Sequence, residues 1–307
     1  MASTDQTMKL VDGRTLAFAD LGDPSGTPVF FFPGLAGSRL EAALLDNPAG
    51  AAGVRLVAPD VPGCGLSDPK PSRTFSDWPD DVVQLASHLR IYEFAILGVS
   101  AASPLVIACA DRIADRLTAA GIVSPVAPLI TPSVRASMPP DMARLMLSSS
   151  RTAWSARHAM ERLEVQVHTN VAALLDHVAT QCAPVDRAIL GMPQVRTVLQ
   201  DSMTEAFRQG PAGPAQELLL LRQAWHIAWK QVVFPVQLWH GRTDMLTPPS
   251  MAEELAALLP CTLTRWYPGE GHGILVTHAR DILHQLLDTS SVKRAGAGTV
   301  GRGHALG

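Results

Sequence analysis

Charge is scarce in this chain, and what there is nearly cancels. Of 307 residues, 25 are Lys or Arg and 28 are Asp or Glu, a charged share of 17% and a formal net charge of -3. With a pI of about 6.4, there is no basic surplus to hold nucleic acid or an anionic membrane surface. No apolar run approaches the roughly 18 to 20 residues a bilayer span needs. The opening Met1-Ala2-Ser3-Thr4-Asp5-Gln6 has neither a basic flank nor an apolar stretch, so no signal peptide is expected. Cysteine is sparse too. Cys64, Cys109, Cys182 and Cys261 are widely spaced with no C-x-x-C pair, which argues against a zinc site or a disulfide framework. Cys64 sits in a glycine-rich turn with no basic neighbour to activate it, and all four read as structural. These absences lead to the expectation of a soluble, cytoplasmic protein with no nucleic-acid or membrane partner and no metal or cofactor. They leave its oligomeric state open.

What is present is apolar. Hydrophobic residues make up 47% of the chain, enough for one large core, with or without an inserted subdomain. Residues 8–11 and 15–21 flank Asp12-Gly13, a strong hairpin signal. Val29-Phe30-Phe31-Phe32 reads as a strand buried on both faces. A helix over 40–52, a strand over 54–58, an amphipathic helix over 77–90, a strand from Phe94 and another over 120–124 follow. That alternation implies an α/β fold with a mainly parallel sheet.

The rhythm stops near Pro125. Residues 127–231 read as helices broken by Pro139-Pro140, Pro184, Pro193 and Gly210-Pro211, a helical cap inserted between core segments 1–126 and 232–289. Strands return over 235–239 and 261–266, and a helix over 274–287 closes the pattern. The glycine-rich tail, 290–307, is expected to be disordered. Its G-x-G-x-x-G (Gly296, Gly298, Gly301) follows no strand and opens no helix, so it is not a nucleotide fingerprint.

Ser100 stands where the apolar strand Phe94-Ala95-Ile96-Leu97-Gly98-Val99 turns at once into a small-residue helix. Such a serine is either an ordinary helix N-cap or a nucleophile aimed by a strained turn. A nucleophilic serine needs a base and the base needs an orienting acid, and a parallel sheet gathers such groups at the carboxyl ends of its strands. Asp244 follows the strand ending at Trp239, in His240-Gly241-Arg242-Thr243-Asp244. His272 follows the strand ending at Trp266, in a loop with Gly269, Gly271 and Gly273. His240, at a strand end, reads as a structural hydrogen-bonding residue.

The order Ser, Asp, His, with a helical insert before the acid, resembles the α/β-hydrolase superfamily over about residues 8–288, and in particular its capped esterase-like and proline-iminopeptidase-like members. Phe32-Pro33-Gly34-Leu35-Ala36-Gly37-Ser38 is similar to the family's HG-x-x-G-S loop. Asp60-Val61-Pro62-Gly63-Cys64-Gly65-Leu66-Ser67-Asp68 resembles its D-x-P-G-x-G-x-S-D turn. The resemblance implies Ser100 as nucleophile, His272 as general base and acid, and Asp244 as the group orienting the imidazole. It makes the backbone N–H groups of Leu35 and Ala101 the oxyanion donors. Gly34 and Val99, next to these groups, and Trp225 in the insert complete the candidate substrate-binding set.

Two positions depart from the pattern. Ala102 replaces the last glycine of Gly-x-Ser-x-Gly, a change expected to shift the elbow slightly. Pro33 replaces the usual histidine, a change expected to re-aim the Leu35 N–H. The resemblance, with a methionine-rich cap (Met138, Met142, Met146, Met160, Met192 and Met203), implies a serine hydrolase acting on a carboxylic ester of an apolar small molecule. C–C hydrolysis, lactone opening or a non-hydrolytic natural-product step on the same residues is the alternative, and a ligand-binding protein without catalysis is a third.

Overall fold

Eight strands form one sheet in the computed structural model, which describes residues 3–288. They are β1 (Ser3–Lys9), β2 (Thr15–Gly22), β3 (Thr27–Phe32), β4 (Val54–Pro59), β5 (Phe94–Val99), β6 (Leu117–Val123), β7 (Val236–Gly241) and β8 (Thr262–Tyr267). Their spatial order is β1-β2-β4-β3-β5-β6-β7-β8. The pairs β1–β2 and β2–β4 are antiparallel and the rest parallel, as the strand–helix alternation predicts.

The triple phenylalanine of β3 explains why both faces must be covered. Phe30 and Phe32 point into one core, with Phe94, Ile96 and the helices Trp78–His88 and Ser103–Arg112. Val29 and Phe31 point into the other, with Leu97, Trp239 and the helix Ala279–Leu287. Alternate residues serve opposite faces because the side-chain period of a strand is two.

Register sets the site. Phe32 pairs with Gly98, Val99 with Val123, Val123 with Trp239, and Gly241 with Tyr267. The chain segments that leave β3, β5, β6, β7 and β8 therefore all emerge on one edge, the carboxyl edge of the parallel strands.

Over that edge lie the helices of the insert: Pro132–Ser137, Pro140–Ala143, Ala153–Thr180, Pro184–Leu190, Pro193–Ala206 and Ala212–Arg222. Four of them open on proline, whose missing N–H costs nothing in a first turn. The longest is two helices in series. Asn170 leaves helical geometry (φ -162°, ψ 75°), and its Oδ1 accepts the Ala173 N–H at 2.9 Å, capping the second segment.

Two sequence-predicted helices differ in detail. The 40–52 segment is a 3₁₀ helix, Arg39–Leu45, followed by Asp46–Ala51. Pro48 fits only the first turn of an α-helix, so the α-helical hydrogen bonding cannot begin earlier. The 274–287 helix is likewise two, Ile274–Thr277 and Ala279–Leu287. Among the described residues no helix is long and apolar enough to cross a membrane. The tail expectation for 290–307 lies outside the described residues.

Candidate active site

Ser100 has φ +53°, in the left-handed region that a side chain adopts only under constraint. The constraint is visible around it. Behind the turn, a Cβ on Gly98 would collide with Val106 and lie 3.1 Å from Ala102 Cβ, so the Ala102 methyl fits because residue 98 has no side chain. In front, the Ser103 hydroxyl donates to the Ser100 carbonyl at 2.6 Å and accepts the Val126 N–H at 2.9 Å. Ser100 itself caps nothing, and its hydroxyl makes no hydrogen bond among the described residues. The N-cap reading of this serine is thus excluded.

Asp244 is buried in the segment after β7. Its Oδ1 accepts the backbone N–H groups of Leu246 (2.8 Å) and Thr247 (2.9 Å), while its Oδ2 accepts the Thr247 hydroxyl (2.8 Å) and His272 Nδ1–H (2.9 Å). Burial opposes ionisation of this carboxyl. The His272 ring and the converging donors outweigh it and hold Asp244 below the usual carboxylate range. For His272 the balance runs the other way. Burial draws its pKa down, and Asp244, Asp186 and Glu41 bring it above the ordinary value. With Nδ1–H committed to Asp244, Nε2 is the nitrogen free to accept a proton.

His240 departs from the sequence reading. It is wholly buried, packs edge-on against Trp266 at 5.7 Å, and neither ring nitrogen has a hydrogen-bond partner among the described residues. Burial pushes it down to about 4, so it stays neutral and hydrophobic at physiological pH.

The loop after β3 faces the elbow. A Cβ on Gly34 would lie 3.6 Å from Ser100 Cβ, and the N–H groups of Leu35 and Ala101 donate to no acceptor among the described residues. Pro33 cannot brace this loop, but other groups do. Gly37 N–H donates to the Gly34 carbonyl at 3.0 Å, and Ser38 N–H donates to Ser202 Oγ of the cap at 2.9 Å. Arg39 N–H donates to Asp60 Oδ1 at 2.6 Å, and the Arg39 guanidinium reaches Asp60 and the cap residue Glu205, each at 2.7 Å. Gly65 (φ +53°) is required beside this knot, because a Cβ there would collide with Asp60 Oδ2.

Ser100, His272, Gly34, Leu35, Val99 and Ala101 line one cavity of about 310 Å³ between sheet edge and cap. The rest of its wall is mostly apolar, including Met142, Met146, Leu175, Ile189 and Met203. The structure does not bring Trp225 there; it is buried against Phe75 (5.9 Å) and Trp229 (5.8 Å), away from the wall. Cys182 does reach the wall, but burial pushes its thiol up to about 12, too high for a thiolate nucleophile at neutral pH.

Residues that sequence reasoning passed over also meet here: Glu41, Asp186 and Thr247. Thr247, three positions past Asp244, had a local signal in its Asx-turn spacing; Asp186 and Glu41 had none. Burial pushes the Glu41 carboxyl from 4.5 up to about 7, against the opposing pull of the Gly34 N–H and His272. The folded protein therefore holds this proton more tightly than the unfolded chain. Stability is unaffected by Glu41 below about pH 4.5 and falls as pH rises towards 7. Glu41→Gln is expected to gain on the order of 2 kcal/mol relative to the parent at pH 8 and little at pH 4.5. Calorimetry at the two pH values checks it, and an equal difference at both contradicts it.

Residues 27–279 match the family model described as alpha/beta hydrolase fold. A comparison with curated proteins gives no match. A structure reported with the carboxylesterases of the thaumarchaeon Nitrososphaera gargenis is 16% identical, covers 94% of this chain and 99% of that one, and has a TM-score of 0.66. The enol-lactonase from Burkholderia xenovorans LB400 is 17% identical over 93% and 100% of the two chains, with a TM-score of 0.66. Bromoperoxidase from Bacillus anthracis is 19% identical over 92% and 99%, with a TM-score of 0.67. At these identities the likeness is one of fold. The family model, in contrast, spans most of the chain, from β3 past the His272 loop, and the chain belongs to the alpha/beta hydrolase fold family.

Proposed function

We propose that this protein is a serine hydrolase that cleaves a carboxylic ester of an apolar small molecule through an acyl-enzyme. The observation that carries this reading is the His272 ring, fixed to buried Asp244 at 2.9 Å and sharing one apolar cavity with the strained Ser100.

In the first half-reaction Ser100 Oγ attacks the ester carbonyl while His272 Nε2 takes the hydroxyl proton. Asp244 remains ionised and stabilises the imidazolium that forms. The Leu35 and Ala101 N–H groups, lacking other acceptors, meet the developing oxyanion; each such donor is worth roughly 3 kcal/mol in the transition state. His272 then returns the proton to the departing alcohol oxygen. In the second half-reaction water, deprotonated by His272, attacks the acyl carbon and frees Ser100. The mostly apolar wall around these groups lowers the local dielectric, which strengthens their charge interactions.

Lactone opening and C–C hydrolysis would use the same three residues, so a substrate panel separates them. Turnover of neutral p-nitrophenyl esters with short to medium acyl chains is expected. A chain ending in carboxylate is expected to be a poor substrate, because Glu41 and Asp186 face the cavity and no lysine or arginine lines it among the described residues. Turnover of lactones alone, with neutral esters inert, would replace the ester reading by the lactone one. Ligand binding unaltered by Ser100→Ala, with no turnover of any panel member, would establish a binding protein instead.

A further inference from the structure

We infer that Asp186, carried by the cap, is a positioning residue for His272, so that the base is in place only when the cap helix Pro184–Leu190 is seated on the histidine loop. Asp186 is 3% exposed and stands in the first turn of that helix. Its Oδ2 accepts the His272 N–H at 3.0 Å and its Oδ1 accepts the Gly273 N–H at 2.8 Å, so both carboxylate oxygens are spent on the backbone of the loop. From the opposite side the Ser124 hydroxyl donates to the His272 carbonyl at 2.9 Å, and the Thr247 hydroxyl, itself on the Ser124 carbonyl at 3.1 Å, meets His272 Nδ1 at 3.1 Å. The cap thus holds His272 by its N–H and the core holds it by its C=O.

The fit leaves no slack. A Cβ on Gly271 would collide with the Asp186 carboxyl, and one on Gly273 would lie 2.7 Å from Ile189 Cδ1 of the same cap helix. The glycines around His272, which in sequence suggest only a loose turn, are what lets the cap come this close. Asp186 also lines the cavity itself, so a bound substrate touches the residue that ties the two parts together.

The inference rests on the reading of His272 as the base. Four charged or titratable groups surround that ring or its partner: Asp244 on Nδ1, His240 behind Asp244 (3.8 Å to its Oδ2), Glu41 in the cavity wall, and Asp186 on the backbone. Cys182, whose thiol feels both Asp186 and Arg187, is a further titratable neighbour of Asp186 in the cap. Removing the Asp186 charge takes away one of the carboxylates that favour the imidazolium, so His272 becomes neutral at lower pH.

The test is the second-order rate at which a fluorophosphonate labels Ser100, followed against pH in the full chain and in Asp186→Asn, Asp186→Ala and His272→Ala. Asp186→Asn keeps the shape and one acceptor. It should move the acid limb of the profile to lower pH and slow labelling at the plateau several-fold. Asp186→Ala should slow it further, by up to about 10²-fold, as expected when a reacting group is misplaced by an ångström. If the alanine variant does not fold, the asparagine variant decides. Plateau rates and limbs unchanged in the Asp186 variants would overturn the inference alone. A slower rate with an unmoved limb in Asp186→Asn would also overturn it, because loosened cap packing predicts that result. Wild-type labelling of His272→Ala would overturn the base assignment, and the inference with it.

Discussion

Ser100→Ala is expected to lower kcat on any turned-over ester by at least about 10⁴-fold while leaving the fold and ligand affinity in place. Loss of the nucleophile removes the acyl-enzyme route altogether, and what remains is water attack assisted by the oxyanion donors. His272→Ala is expected to cost about as much, and the double variant little more, because residues acting as a unit are grossly non-additive. Stability should change little, since the Ser100 hydroxyl makes no hydrogen bond among the described residues. No strain is relieved either, because φ +53° is no easier for alanine than for serine. Steady-state kinetics of the two single variants and the double checks this. Additive losses would contradict a shared mechanism.

The second large effect concerns stability. Arg39→Ala is expected to cost about 3 to 5 kcal/mol, the range for breaking a buried pair by removing one partner. Arg39 is 1% exposed and bonds Asp60, which is fully buried, as well as Glu205 of the cap and Asp5 near the chain start. Without the guanidinium, burial of the Asp60 carboxylate is uncompensated; its pKa is already raised by burial even with Arg39 present. Arg55 provides the comparison. Its pair with Asp20 has the same 2.7 Å separation, but both side chains are about one-fifth exposed, 21% and 18%. Arg55→Ala should therefore cost less than about 1 kcal/mol. Urea melts of both variants separate the cases, and equal losses would contradict the assignment. Arg39→Ala should lower activity as well, because the same knot braces the loop that presents Leu35.

How much of this could be read from sequence follows from how local each signal is. Most of the sheet was legible because its inner strands are short apolar runs, as in Phe30-Phe31-Phe32-Pro33 and Leu97-Gly98-Val99-Ser100, whereas β1, expected over 8–11, is the polar segment Ser3–Lys9 with no such signal. Ser100, Asp244 and His272 were legible because each sits just past such a run, and parallel strands put those positions on one edge. The Ala102 methyl is accommodated for a local reason, the bare Gly98 opposite it. The bracing of the Pro33 loop was not legible. It comes from Asp60 and from Ser202 and Glu205, more than 160 residues away in the cap for the latter two. Trp225 failed as a cavity residue for the same reason, since it lies in the segment after the helix Ala212–Arg222, and where that segment packs depends on contacts distant in sequence. Asp186 stands in a helix's first turn, a place where carboxylates are common, so nothing in the sequence singles it out. Only the fold shows that its acceptors are spent on His272 and Gly273.

Every step of the proposed reaction depends on Ser100 being a nucleophile activated by His272. Exposure of the full chain to a fluorophosphonate, read by intact mass and peptide mapping, tests it most directly. One adduct per chain is expected, on Ser100, absent in Ser100→Ala and formed far more slowly in His272→Ala. An unlabelled protein, or an adduct that persists in Ser100→Ala, would contradict it.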